Sequence, residues 1–213
     1  EETRHNNVNV IRYPAFEPIT NFPLPKFWKL EVYKKLWNLY KEEIDIVMTR
    51  TRFFMNSWIG FKFAKFRFNP LPLVHVEHGS SHVKVDSTIT TSIARLWDET
   101  IGRTIFTFSN INIAISKAVH RFVKKYDQRN IPIIPRGVDF DKYNVKPDNW
   151  VLENFKDKKI FLYLGRLIHW KGIENSIKAF NTLNTENAVF LIVGSGEDEE
   201  KLKKISGENI VFT

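Results

Sequence analysis

In the stretch YLGRLIHWKG, Arg166 and Lys171 stand between Gly165 and Gly172. The run before them, KIFLYLGR, reads as a buried strand, and GIENSIKAF behind them reads as a helix. A strand-to-helix turn in a parallel sheet lies at the carboxyl end of its strand, where such sheets bind ligands. The unpaired N–H groups and the dipole of the opening helix already favour an anion there. Arg adds a planar fork of donors and Lys a mobile point charge, so a phosphate or diphosphate is the ligand this pattern suits. Gly165 and Gly172 let backbone approach it without a Cβ in the way. On spacing alone, two solvated charges on a basic surface loop fit equally well.

Two further strand ends carry residues of chemical interest. VFLIVGSGEDEEKL, residues 189–202, ends a strand in Gly194, Ser195 and Gly196 and opens a helix with Glu197 and Asp198. The glycines would admit a ligand, and the acids suit a helix N-terminus. A dinucleotide fingerprint fits poorly, because Glu199 stands where G-x-G-x-x-G needs its third glycine. LVHVEHGSSHV, residues 73–83, sets His78, Gly79, Ser80 and Ser81 directly after an apolar run. His78 could hydrogen-bond a sugar hydroxyl or a phosphate, and it titrates near neutrality. An isolated His beside a tight turn is more often structural, which is the role expected for His75 and His82. Glu77 should point, by alternation, to the other side of the strand.

These turns need a parallel sheet to position them, and the chain alternates short apolar runs with longer amphipathic stretches, as βαβ units do. Expected strands are NVNVIRY, IDIVMT, LPLVHVEHG, INIAIS, IPIIPRGV, KIFLYLGR and VFLIVGSG. Expected helices lie near 26–42, 55–68, 88–104, 116–128, 172–184 and 197–206, and Ser116 is placed to cap KAVHRFVKKY. Composition turns polar after IIPRGVD, so a first domain over 1–140, a linker over 141–158 and the start of a second domain over 159–213 are expected. Two strands ahead of NIVFT are too few for a stable doubly wound domain. The chain therefore reads as a piece of a longer protein.

The 213 residues are 43% hydrophobic and 26% charged, which is a globular composition. A net charge of +8 calls for an anionic partner: nucleic acid, an anionic membrane surface or a phosphorylated substrate. Cysteine is absent, and the six histidines lack metal-ligand spacing, so no disulfide, metal site or cofactor is expected. No apolar run approaches the ~18 residues of a membrane span. EETRHNNVNV has no signal-peptide pattern, which makes a cytoplasmic location the expectation.

The ordered set EHGS, AISKAV, IPRGVDFDKY, GRLIHWKG with IENSIKAF, and LIVGSGEDEEKLKK resembles the retaining glycosyltransferases of family 4. The resemblance covers about residues 70–213. It implies the GT-B fold, an α/β architecture of two facing Rossmann-like domains, with the second one truncated here. It also implies transfer of a sugar from a nucleotide-sugar donor, a UDP- or GDP-sugar, to a glycan or lipid-linked acceptor. Within it, Arg166 and Lys171 hold the donor diphosphate, flanked by Gly165 and Gly172, and His78 faces the donor sugar. Gly194, Ser195, Gly196 and Glu197 lie near the nucleoside. Positioned cations would stabilise the leaving diphosphate electrostatically, without a metal. This chain departs from the family pattern at Arg136, where Asn is usual, and lacks both the N-terminal Gly-rich loop and the Glu-x7-Glu motif. The piece by itself is expected to be inactive, and a noncatalytic partner subunit is the alternative reading.

MNSWIGFKFAKFRFNP, residues 55–70, bears on the acceptor side. At 100° per residue, Met55, Ile59, Phe63 and Phe66 form one face, suited to packing on a sheet. Trp58, Phe61 and Phe68 form a second, with Lys62 and Lys65 beside them, and such a basic aromatic face suits an anionic membrane. A location at the inner face of the membrane and a role in cell-envelope polysaccharide or glycolipid synthesis follow from that reading. A helix buried on both sides is the equal alternative. Nucleic-acid binding is disfavoured because the aromatics cluster in expected helices rather than on an open strand face.

Overall fold

The computed structural model describes residues 2–5, 8–19, 22–83, 88–146, 149–183 and 186–213. The chain divides into two compact units, Glu1–Val138 and Asp139–Thr213. The first unit begins with two antiparallel pairs, β1 (Glu2–His5) with β2 (Val8–Ile11) and β3 (Ala15–Ile19) with β4 (Phe22–Pro25). NVNVIRY is therefore half of a hairpin rather than a member of the parallel sheet, and its Val8 and Ile11 are exposed. Its first residue, Asn7, lies outside the described residues.

The sheet that positions the first unit's chemistry is built by βα alternation. After α1 (Leu30–Lys41) come β5 (Val47–Arg50), α2 (Met55–Lys65) and β6 (Leu73–Glu77). Next follow α3 (Thr88–Trp97), one π-helical turn (Asp98–Gly102), α4 (Arg103–Phe108), β7 (Ile111–Ala114) and α5 (Lys117–Val123). Strands β5, β6 and β7 are parallel neighbours in that order, with Arg50 opposite Val76 and Glu77 opposite Ala114. IPIIPRGV contributes only a parallel bridge from Ile133 to Ala114, because two prolines remove ladder donors. Ser116 caps α5, its hydroxyl accepting from the Val119 N–H. Phe61, Ala64, Leu73 and Ile105 form one core cluster, and Phe106, Ala114, Val119, Phe122, Val123 and Ile131 form another.

In the second unit, α6 (Phe140–Tyr143) and α7 (Asn149–Asn154) occupy much of the stretch expected as a linker. Then come β8 (Lys159–Leu164), a single 3-10 turn (His169–Lys171), α8 (Ile173–Asn181), β9 (Ala188–Val193), α9 (Glu199–Lys204) and β10 (Ile210–Phe212). The expected last residue of the α8 helix, Asn184, is outside the described residues. The parallel order is β10-β9-β8. Central β9 is buried along most of its length, and Ile177 of α8 and Leu202 of α9 close over it. Among the described residues KIFLYLGR, expected as a buried strand, pairs on one side only, with β9, and its Leu162 and Leu164 are exposed.

Candidate functional site

The basic turn of the second unit is set by two loops that grip each other through backbone. The Gly165 N–H donates to the Val193 carbonyl (3.0 Å), the Leu167 N–H to the Ser195 carbonyl (2.9 Å) and the Asp198 N–H to the Leu167 carbonyl (3.1 Å). A Cβ on Gly194 would overlap the Gly165 carbonyl, and one on Gly196 would overlap that of Leu167. Close approach of the neighbouring loop thus requires glycine at both 194 and 196, a reason their sequence alone does not show. Gly194 also sits at φ +143, and Gly172 at φ +68, both in the region that favours glycine.

This grip delivers the cations to the start of α8. Arg166 is exposed at the loop, its carbonyl accepting from the Tyr163 hydroxyl (2.9 Å). Lys171 ends the 3-10 turn and is exposed, with no carboxylate partner among the described residues. Gly172 is the N-cap of α8, and no side chain caps the helix. The only acid in the first turn of α8 is Glu174, which is held by Lys178 (2.7 Å) and Lys201 (2.6 Å). Those two lysines hold its carboxyl well below the usual range, at about 2. Free donors, a positive helix end and an uncompensated Lys171 make this turn attractive to an oxyanion. Ser195, Gly196 and Glu197 are exposed on the adjoining loop.

His78 follows β6 and is half-buried. Its Nε2 faces the guanidinium of Arg50, at 3.3 Å from Nη2 and 3.4 Å from Nε. Burial, followed by the charge of Arg50, lowers its pKa. The imidazole is therefore neutral near pH 7, with Nε2 as acceptor and Nδ1 left to donate.

The loop that carries His78 rests on buried charges. The Glu77 carboxylate accepts from the backbone N–H groups of His78 (2.9 Å) and Gly79 (2.5 Å), from the Arg52 N–H (3.2 Å) and from Arg52 Nη1 (3.1 Å). His75 Nε2 lies 3.2 Å from the same carboxylate. Arg52 is 1% exposed; it also pairs with Asp98 at 2.9 Å and donates to the Ser81 carbonyl at 2.9 Å. A Cβ on Gly79 would come within 2.9 Å of Arg52 Nη1, so that glycine makes room for the ion pair. The Glu77 carboxyl is pulled down to about 2: burial pushes it up, but the His75 hydrogen bond and the Arg52 charge outweigh this. Sequence reading missed Arg52 and Asp98. Only the glycines at 79 and 102, both backed against Arg52, hinted at a buried bulky group.

The second aromatic face expected on α2 is not an outer face. Phe61 is 4% exposed, and Trp58 stacks on it at 5.1 Å between centroids. Lys65 is tied to Asn110 Oδ1 at 2.7 Å, and burial lowers its pKa. The buried side of α2 is Ser57, Phe61 and Ala64, because these residues sit over β5 and β6. Lys62 is exposed, and Phe68, beyond the helix, is 99% exposed. What α2 does leave outward is a groove of about 680 Å³ shared with α1, lined among others by Tyr33, Trp37, Tyr40, Ile59, Lys62 and Phe63. Among the described residues no helix is long and apolar enough to cross a membrane, and no cluster of metal-ligating side chains occurs.

Comparison with known proteins places these features. Residues 1–142 match the model of Glycosyltransferase Family 4, and residues 145–210 match that of Glycosyl transferases group 1. An uncharacterized glycosyltransferase of Methanocaldococcus jannaschii is 46% identical over 212 residues, covering 97% of this chain and 54% of its own length. The chain thus spans about half of that relative. Sucrose-phosphate synthase of Thermosynechococcus elongatus superimposes with a TM-score of 0.69 at 18% identity, over 100% of this chain and 56% of that one. Anabaena HepE, solved with UDP-glucose, superimposes with a TM-score of 0.60 at 18% identity, over 85% and 50%. The fold is the α/β fold of the GT-B glycosyltransferases, with parallel sheets in both units.

Proposed function

The chain belongs to glycosyltransferase family 4, and on that premise we propose that it carries the diphosphate clamp of a retaining enzyme using a UDP- or GDP-sugar. The observation that carries this reading is the Arg166–Lys171 turn, held by the Gly194–Gly196 loop at the uncapped start of α8. A leaving diphosphate gains negative charge as the sugar–phosphate bond breaks, and preorganised cations and N–H groups lower that barrier. The UDP and UDP-glucose bound by Anabaena HepE, a protein of the same fold, support a nucleotide-sugar donor. Ser195, Gly196 and Glu197 then border the nucleoside, and neutral His78 offers Nδ1–H to the donor sugar.

The acceptor is a glycan or a lipid-linked sugar of the cell envelope. The α1–α2 groove, with exposed Trp37 and with Lys34 and Lys62, and the exposed Phe68 beyond α2 support peripheral contact with an anionic membrane at its inner face. This face excludes Phe61, which is buried, and Lys65, which is tied to Asn110.

Calorimetric titration of the chain with UDP and with GDP tests the clamp. Lys171→Ala should weaken binding by about tenfold or more, as loss of a charge-assisted contact does. Equal affinity in that variant removes the assignment.

A further inference from the structure

We infer that the carboxyl edge of the first unit's sheet holds a second anion subsite, formed by Arg50, His78 and Arg136, which receives a phosphate carried by the acceptor. The inference rests on the glycosyltransferase reading for the word acceptor, but the subsite itself stands on the geometry of the first unit.

Topology brings the three residues together. Arg50 ends β5 opposite Val76, His78 follows directly on β6, and Arg136 follows the bridge that pairs Ile133 with Ala114. All these segments are parallel, so the three side chains leave the sheet at one edge, the edge where parallel sheets take ligands. Arg50 lies 3.3 Å from His78 Nε2, a donor against a neutral acceptor, which leaves its charge unneutralised. Arg50 and Arg136 are both exposed, and neither has a carboxylate partner among the described residues. The nearby acids are committed: Glu77 to Arg52 and the loop backbone, Asp98 to Arg52 and His82. A sheet edge that neutralises buried Arg52 with two carboxylates leaves Arg50 and Arg136 with none among the described residues.

The backbone contributes to this division. Thr51, between the two arginines, adopts φ +60 and is the only non-glycine with positive φ among the described residues. A β-branched residue is strained there, at a cost of order 1–3 kcal/mol. The reversal buries Arg52 and leaves Arg50 outside. Two planar forks at the sheet edge that carries this imidazole suit a phosphate, which can accept from each.

The charged and titratable groups acting on His78 are Arg50, Arg136 and His75, which lower its pKa, and Glu77, which raises it; burial lowers it most. A phosphate bound between the arginines opposes two of these influences, so its binding should draw a proton onto His78.

The test follows the His78 imidazole by NMR across pH, with and without inorganic phosphate. The expected result is an upward shift of the His78 midpoint on adding phosphate. Arg50→Gln and Arg136→Asn should each weaken the apparent phosphate affinity by about tenfold or more; both side chains are exposed, so these variants should fold. Lys171→Ala should leave the His78 response unchanged. No response of His78 to phosphate, or the same response in both arginine variants, overturns the subsite. A response abolished by Lys171→Ala also overturns it, by assigning the anion to the diphosphate turn. Unchanged UDP affinity in Lys171→Ala would sink the clamp without touching this result. Phosphatidylglycerol vesicles that reproduce the shift would identify the phosphate as a lipid headgroup, whereas a response to soluble phosphate alone would identify a soluble acceptor; both support the subsite.

Discussion

The two sheet edges of this molecule hold a loop over the ends of parallel strands by opposite means. In the first unit the loop after β6 is fixed by buried charge: Glu77 accepts from its backbone, and Arg52, neutralised by Glu77 and Asp98, grips its Ser81 carbonyl. In the second unit the basic turn is fixed chiefly through backbone, by hydrogen bonds to the neighbouring loop and by the Tyr163 hydroxyl on the Arg166 carbonyl, with Gly194 and Gly196 allowing that loop to pass at van der Waals distance. The first device consumes its charges in holding shape. The second leaves Lys171 uncompensated and available to a ligand. The contrast explains why a cluster rich in ionisable groups is mostly scaffold here, while a sparser one is the better candidate for chemistry.

Removing one partner of the buried network should produce the largest effect. Arg52→Ala leaves Glu77 and Asp98 buried without their counterion, which should cost about 3–5 kcal/mol. A drop in the denaturation midpoint reports it, and a change under about 1 kcal/mol would show that the network is not what holds the loop.

Acid should attack the same edge selectively. Glu77 is held at about 2 against an ordinary 4.5, so its contribution is fully present above pH 4.5 and is lost as pH falls from there through about 2. Wild-type stability should decline across that window more steeply than that of Glu77→Gln. Parallel declines would mean that another carboxylate carries the acid sensitivity.

The glycine lock comes next. Gly196→Ala forces a Cβ into the Leu167 carbonyl, and backbone must shift at a cost of about 1–3 kcal/mol. Thermal midpoint and UDP affinity should fall together, because the same contacts position Arg166 and Lys171. A lowered midpoint with full affinity would separate the lock from the ligand site.

The smallest effect on stability belongs to Lys171→Ala. The residue is exposed and has no carboxylate partner among the described residues, so the midpoint should move by less than about 0.5 kcal/mol, even as nucleotide affinity drops. Loss of stability comparable to that of Gly196→Ala would make Lys171 part of the scaffold.

Apolar runs made β6, β7 and β9 readable, two of them ended by Gly79 and Gly194, and caps at sequence boundaries, such as Ser116 before α5, made helices readable. Strand context was not readable. KIFLYLGR and VFLIVGSG are equally apolar, yet among the described residues the first pairs on one side and the second on both, since pairing partners are not encoded locally. The helix expected over 88–104 is interrupted by a π-helical turn, which sets Asp98 against Arg52 across a long sequence separation. The face assignment of α2 failed for a similar reason. Aromatics surround that helix, so periodicity alone could not say that Phe61 and Ala64, rather than Ile59 and Phe63, meet the sheet. At the basic turn, residue types were legible, but the reason for its neighbouring glycines was not, because it lies in the backbone of another loop.

Titrating UDP into the isotopically labelled chain while following backbone amide resonances puts the Arg166–Lys171 clamp to the test. The prediction is a set of shifts confined to Gly165–Asn175 and Gly194–Glu197, saturating together and weakened by about tenfold or more in Lys171→Ala. Shifts absent from those two loops, or an affinity indifferent to Lys171, would contradict it.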